Sequence, residues 1–242
     1  MNSAKEHYAR LLAAHYSWMF GDFDAKVAEQ KALLESLGLG PVEGARALDL
    51  GCGSGFQSFA LAELGYTLTA IDSSPALLAE LEEHASGQPI HTIEADLLDL
   101  AEHMGEPVDL IVCMGDTLTH LGSFVDVERL FVTALEALSP GGRLLLTFRD
   151  LTREAEGLDR FIPLRSTPDK IMTCFLEYSA HTVTVHDLIH INEGETWRLE
   201  KSCYRKLRLS ADSVSDLLAT AGFHLAHRAE EGGLVTLLAA RA

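Results

Sequence analysis

The feature that most constrains this chain is the run Asp49-Leu50-Gly51-Cys52-Gly53-Ser54-Gly55. It falls where a short apolar stretch, Ala45–Leu50, gives way to a helix-like one from Phe56 to Leu64 closed by Gly65. Glycines at alternate positions let a backbone turn sharply and approach a ligand with no Cβ in the way. A tight strand-to-helix turn with no ligand would use the same residues, so the loop needs support from its surroundings.

The surroundings repeat the alternation. Tyr66–Ile71 reads as a second strand, and Ser74 and Pro75 open a helix carrying Leu77, Leu78 and Leu81 on one face. Further strands are expected near Pro89–Glu94, over Val108–Met114 and over Arg143–Phe148, with a helix from about Val125 to Leu138 and a Ser139-Pro140-Gly141-Gly142 turn. Such a series predicts an α/β fold: a doubly wound, mostly parallel sheet with helices on both faces.

Two flanking regions break the rhythm. Before the alternation, Asp24–Leu37 carries Val27, Leu33, Leu34 and Leu37 at helical spacing and is stopped by Gly38-Leu39-Gly40-Pro41. Between Asp150 and Leu209 lie β-rich runs, Ile171–Tyr178, His181–Ile191 and Trp197–Leu209, the last two joined by an Asn192–Glu195 turn. The chain ends in a helix, Ala211–Ala221, stopped by Gly222, and two strands near Phe223–Ala229 and Leu234–Ala240. The expected division is a helical cover over 1–40, a core made of 41–149 and 210–242, and an antiparallel β-rich insertion over 150–209 that walls the substrate side.

Polar residues gather at the predicted carboxyl ends of the strands, the edge where doubly wound sheets bind ligands. Asp72 ends the second strand about 20 positions past the glycine loop, where a carboxylate can accept from both hydroxyls of a ribose. Ser73 follows it. Asp96 and Leu97 follow the third strand and suit an adenine, the carboxylate for its amino group and the leucine for its ring. The fourth strand leads into Cys113-Met114-Gly115-Asp116-Thr117-Leu118-Thr119-His120-Leu121, in which His120 is a candidate to orient a ligand or act as a base. The fifth leads into Arg149 and Asp150.

Composition excludes several classes. A net charge of −17 leaves too few cations for the broad basic face that binds nucleic acid, although Arg198, Lys201, Arg205, Lys206 and Arg208 allow a local patch. The four cysteines form no C-x-x-C pair and no zinc-spaced cluster, so no metal and reduced thiols in a cytoplasmic protein are expected. The segment Met1–Arg10 is polar, and no apolar run approaches membrane-spanning length.

Residues 45–148 resemble the core of class I S-adenosylmethionine-dependent methyltransferases: the glycine loop, the acidic end of strand two, the Asp-Leu after strand three and the Pro-Gly-Gly before strand five match in order. The resemblance implies S-adenosylmethionine as cofactor, a small-molecule methyl acceptor, and contacts from Asp49, Gly51, Cys52, Gly53, Gly55, Asp72, Ser73, Asp96, Leu97 and Met114. A narrower likeness is to glycine and sarcosine N-methyltransferases, whose strand-four segment resembles Cys113–Leu121. It implies a carboxylate-binding role for Arg149, a cofactor-carboxylate contact for Lys26, and a cover that includes Tyr16, Trp18 and Met19. Asp116 departs from that group, which carries Asn there; Asp lacks the amide donor but can attract an ammonium. Arg149 and Asp116 would together select a zwitterion, or they form a structural pair. The competing readings are a nicotinamide-dependent oxidoreductase, disfavoured because Phe56 occupies the place of a third fingerprint glycine, and a non-catalytic cofactor-binding module.

Overall fold

A computed structural model describes residues 3–40, 42–85 and 87–242. Pro41, expected to help stop the first long helix, and the terminal pair Met1 and Asn2 lie outside the described residues.

The chain opens with a broken helical strap: α1 (Ala4–His7), a π turn (Tyr8–Leu12), a 3₁₀ turn (Ala13–His15) and α2 (Tyr16–Phe20). The Asp22 side chain then accepts from the Ala25 amide to start α3 (Phe23–Ser36), which buries Val27 and Leu34. The alternating region follows as β1 (Arg46–Leu50), α4 (Phe56–Glu63), β2 (Thr67–Asp72), α5 (Pro75–His84), β3 (Ile90–Glu94), β4 (Val108–Cys113), α6 (Phe124–Ala137) and β5 (Leu138–Arg149). Next come β6 (Phe161–Ser166), β7 (Lys170–Tyr178), β8 (Thr182–Asn192) and β9 (Trp197–Leu207), then α7 (Ala211–Ala221), β10 (Phe223–Glu231) and β11 (Leu234–Arg241).

Two sheets result. The larger has seven strands in the order β10-β11-β5-β4-β1-β2-β3. β1 to β5 run parallel, and β11 lies antiparallel to both β5 and β10. Helices cover both faces through separate apolar clusters. α6 places Val127, Leu130, Phe131 and Ala134 against Leu144, Leu146 and Phe148, whereas Phe59, Ala60 and Leu61 of α4 and Leu64 just past it meet Ala47, Leu68 and Leu110. Burial on both faces is why these strands read as unbroken apolar runs. The second sheet is antiparallel, in the order β6-β7-β8-β9.

Two elements differ from expectation. The Ser139–Gly142 segment is a bulge inside β5, not a turn ahead of it: Val108 pairs with Leu138 and Leu110 already with Arg143, and Gly141 takes φ 76°. β6 was not anticipated, because it contains Pro163. A proline is tolerated at a sheet edge, where β6 lies.

Candidate active site

A cleft opens at the carboxyl ends of β1 to β4 and is roofed by the strap. Its walls are Ser3, Ala4, Lys5, Tyr8 and Tyr16 from the strap, Gly51 and Gly53 from the glycine loop, and Asp72, Ser73, Ser74 and Leu77 after β2. Ala95, Asp96 and Leu97 after β3 and Thr117, His120 and Leu121 after β4 complete it.

The loop's geometry explains its composition. Gly51, Gly53 and Gly55 all take positive φ, 73°, 57° and 96°. A Cβ on Gly51 would stand 2.3 Å from Thr117 Cγ2, and one on Gly53 would stand 3.1 Å from the Tyr16 ring. The second strand holds the loop in place: the Gly53 amide donates to Asp72 Oδ2 at 2.9 Å and the Ser74 amide to Oδ1 at 2.8 Å. Burial pushes the Asp72 carboxyl up from its ordinary range, and these amides oppose it. A carboxylate has about four lone-pair sites, so the amides of Gly53, Ser73 and Ser74 leave one for a ligand hydroxyl. Beside it, the buried Ser74 Oγ has no hydrogen-bond partner among the described residues, an orphan on the cleft wall of the kind a bound ligand satisfies.

Asp49 sits below this wall rather than on it. Fully buried, it accepts from Ser58 Oγ at 2.5 Å and Gln57 Nε2 at 3.1 Å, and so ties β1 to the first turn of α4. Burial pushes its carboxyl up to about 7, against those two hydrogen bonds. Cys52 and Met114 are likewise buried, packed among the side chains of the α4 cluster. Gly55 caps α4 and faces Leu81 and Phe59. Lys26 is not on the cleft wall either: its Nζ is 2.6 Å from Glu29 Oε1 on its own helix. The cation that does line the cleft is Lys5.

The far end of the cleft is aromatic. His120 lies 5.8 Å from the Tyr8 ring and 5.4 Å from the Tyr204 ring, centroid to centroid. Its Nε2 is buried without a hydrogen-bond partner among the described residues. Burial, followed by the Lys206 ammonium, holds this histidine far below its usual range, so it is neutral. Behind it, His7 stacks on Tyr204 at 4.3 Å and its Nε2 is 2.8 Å from Asp187 Oδ2, while Asp187 Oδ1 accepts from Cys174 Sγ at 2.6 Å. Asp116 Oδ1 accepts from the Arg149 amide at 2.9 Å, and its Oδ2 lies 2.6 Å from Lys206 Nζ. Burial favours a neutral Asp116, but Lys206 overrides it and holds the carboxyl below its ordinary value. The Arg149 guanidinium is more than half exposed, with Nε 3.9 Å from Asp116 Oδ2.

Sequence reasoning had picked Tyr16, Gly51, Gly53, Asp72, Ser73, Asp96, Leu97 and His120, and the structure brings all of these to one cleft. The sequence allows a local basic patch that includes Lys206; in the structure Lys206 turns inward to Asp116, and Arg198 pairs with Glu193. Arg208, just past the strand, pairs with Glu154. Ser3, Lys5, Tyr8, His7 and Tyr204 were missed, since no local pattern marks a short strap that acts through residues nearly two hundred positions away. Among the described residues, no cluster of three or more His, Cys, Asp or Glu side chains is arranged to hold a metal ion, and no helix is long and apolar enough to cross a membrane.

The strand order and the acid-backed glycine loop define a doubly wound sheet with a nucleoside-binding edge. The family described as "Methyltransferase domain" matches residues 47–142. The chain is 30% identical over 176 residues to the cypemycin N-terminal methyltransferase of a Streptomyces species, covering 65% of this chain and 68% of that one. It is 31% identical over 107 residues to the glycine/sarcosine N-methyltransferase of Aphanothece halophytica, covering 43% of this chain but only 40% of that relative. Among solved structures, the CcbJ methyltransferase of Streptomyces caelestis superposes with a TM-score of 0.78 at 18% identity, covering 97% of this chain and 98% of that one. The chain therefore belongs to the S-adenosylmethionine-dependent methyltransferases.

Proposed function

We propose that this enzyme methylates the nitrogen of a small-molecule amine held between Tyr8, His120 and Tyr204. The observation that carries the proposal is the buried, partnerless Nε2 of a neutral His120 on the wall of the cleft that also holds Gly51, Gly53 and Asp72. S-adenosylmethionine, when bound, supplies an electrophilic methyl group on sulfur. Asp72 and Ser74 are suited to its ribose, Asp96 and Leu97 to its adenine. The chain's remaining task is alignment, which contributes up to roughly 7–11 kcal/mol in well-oriented reactions.

His120 Nε2 accepts an N–H of the amine and thereby aims the nitrogen lone pair. A histidine held so far below its usual range is a hydrogen-bond acceptor, not a proton store, so the proton lost after transfer leaves through the cleft to solvent. The strap roofs the site and limits water near the methyl group. One relative is named a glycine/sarcosine N-methyltransferase and another an N-terminal methyltransferase, and both names support this reading.

The test is formation of S-adenosylhomocysteine against a panel of small amines, amino alcohols, amino acids and phenols. His120→Phe keeps the aromatic packing and removes the acceptor; kcat should fall about 10²-fold with cofactor affinity nearly unchanged. Turnover confined to hydroxyl acceptors, or full activity in His120→Phe, overturns the proposal.

A further inference from the structure

The register of the second sheet separates two unlike faces. Residues paired across an antiparallel sheet stand on the same side, and neighbours along a strand on opposite sides. One side carries Met172, Cys174, Ile189 and Tyr204, all buried and packed near Ala4, Leu11 and Leu12 of the strap. The other side faces away from the strap and crosses all four strands. It carries Phe161 and Phe175 in one row, Leu188 in the next, Ile171 and Leu199 in the third and Trp197 in the fourth. Phe161 is 50% exposed, Trp197 48%, Leu199 43% and Ile171 37%. The solvated face of an antiparallel sheet is ordinarily polar. A contiguous apolar face left this open marks a surface that another surface covers.

Size, charge and symmetry point to the cover. β7 to β9 are 9 to 11 residues long. With a rise of about 3.4 Å per residue and strands about 4.8 Å apart, the face measures roughly 30 Å by 19 Å before the relief of its side chains is counted. A stable pair of proteins takes about 800 Å² of accessible surface from each partner, which a corrugated face of that outline supplies. The net charge of −17 makes two copies repel over most of their surfaces. This face is the exception. On its paired rows from β7 to β9 the one carboxylate is Glu177, 2.5 Å from His186 Nε2, and it is set against Lys201 and Arg205. The face is also self-complementary about β8. Glu177 on β7 and Arg205 on β9 flank Thr184, and Ile171 and Leu199 flank His190. A two-fold axis along β8, lying between two such faces, lays β7 of each copy on β9 of the other. It opposes Glu177 to Arg205 and Ile171 to Leu199.

We propose that the chain forms a homodimer in which the outer faces of two second sheets pack together about this axis. The sheets then sandwich at the small angle usual for aligned packing. The clefts stay open, because they lie on the strap side of each sheet. The inference is independent of which acceptor is methylated.

The test is sedimentation equilibrium of the full chain over about 1 to 100 µM. The wild type should sediment at twice the mass of one chain. Ile171→Glu and Leu199→Lys each put an unpaired charge in the middle of the face and should raise the dissociation constant about a hundredfold or more. The two together set opposite charges against each other across the axis and should recover about tenfold or more of that loss. Val125→Glu, at a 71% exposed position on α6, should change nothing. A monomer throughout, a dimer that survives both single variants, or a double variant no tighter than either single one overturns the proposal. So does a monomer that sediments with phosphatidylcholine vesicles and releases them in Leu199→Lys, which would give the face to a lipid surface. If the variants do not fold, the wild type still decides. The chain has two tryptophans, and as dilution lowers the mass the emission of Trp197 should move to longer wavelength, a shift absent in Trp197→Phe. Emission that stays constant while the mass falls overturns the proposal.

Discussion

At the scale of single residues, two carboxylates at the ends of neighbouring strands do different work. Asp72 lines the cleft and holds the glycine loop from one side. Asp72→Ala should weaken S-adenosylhomocysteine binding by about 1.5–3 kcal/mol in titration calorimetry, the loss of hydrogen bonds to a charged group. Unchanged affinity in a folded variant would remove Asp72 from the site. Asp49 acts through the fold instead, and its raised carboxyl makes a signed prediction. A folded-state pKa of about 7 lies above the unfolded value, so the stability Asp49 contributes is complete at acid pH and lost as pH rises through 7. Asp49→Asn removes that titration. The melting temperature of the wild type minus that of the variant should therefore fall between pH 5 and pH 7, by the equivalent of a few kcal/mol at most, and level off above. A difference that is flat with pH, or that rises, contradicts the assignment.

At the scale of elements, what was legible depended on how locally each element is determined. The glycine loop, Asp72 and Asp96 were readable because a strand followed by a turn and a capped helix places its own terminal residues at the binding edge. The end of β5 was readable for the same reason, but its bulge was not: Pro140-Gly141-Gly142 is a turn by local chemistry and joins a strand only because β4 lies alongside to pair with it. The sequence predicts a helical cover over 1–40 that includes Tyr16, but not the breaks within the strap or its anchors. The strap's segments are three to five residues long and gain their order from distant partners, His7 with Asp187, His15 with Glu200 and Ser17 with Ser54. Breaking the first of these is therefore an element-scale experiment. His7→Ala leaves Asp187 with one fewer partner and removes the stack on Tyr204, so amides across residues 3–20 should exchange about tenfold or more faster, with β1 to β4 unaffected. A strap that keeps its protection would mean the apolar contacts of Leu11 and Leu12 hold it alone. Gly53→Ala attacks the same roof from below. Its positive φ strains any side chain, and the Tyr16 ring, 3.1 Å from where the methyl group would stand, must give way, so cofactor affinity should drop at least tenfold.

At the scale of the whole molecule, the cleft lies between the parallel sheet and a strap that is anchored on the second sheet. The parallel sheet supplies the loop and Asp72, the strap supplies Tyr8 and Tyr16, and the antiparallel sheet anchors the strap behind them through Asp187 and Tyr204. A ligand that touches the loop and the underside of the strap should therefore stabilise the chain as a unit. Binding to the folded state alone adds RT ln(1 + [L]/Kd), about 2.7 kcal/mol at a hundredfold excess over Kd. For a chain of this size that corresponds to a rise in melting temperature of roughly 5–10 °C. S-adenosylhomocysteine and S-adenosylmethionine should both produce it in differential scanning calorimetry, NAD should not, and Asp72→Ala should need a higher ligand concentration for the same rise. Hydrogen exchange on the same samples locates the effect. Protection should appear at residues 51–55, at the strap and in β8 and β9, because the strap's anchors Asp187 and Tyr204 lie on those strands. Protection confined to the loop would mean that the strap does not close on the ligand. A larger shift with NAD than with either adenosyl compound would contradict the cofactor assignment of the cleft itself, since Phe56, buried against the strap's Tyr16 ring at 6.2 Å, fills the position where the dinucleotide fingerprint carries its third glycine for close helix–strand packing.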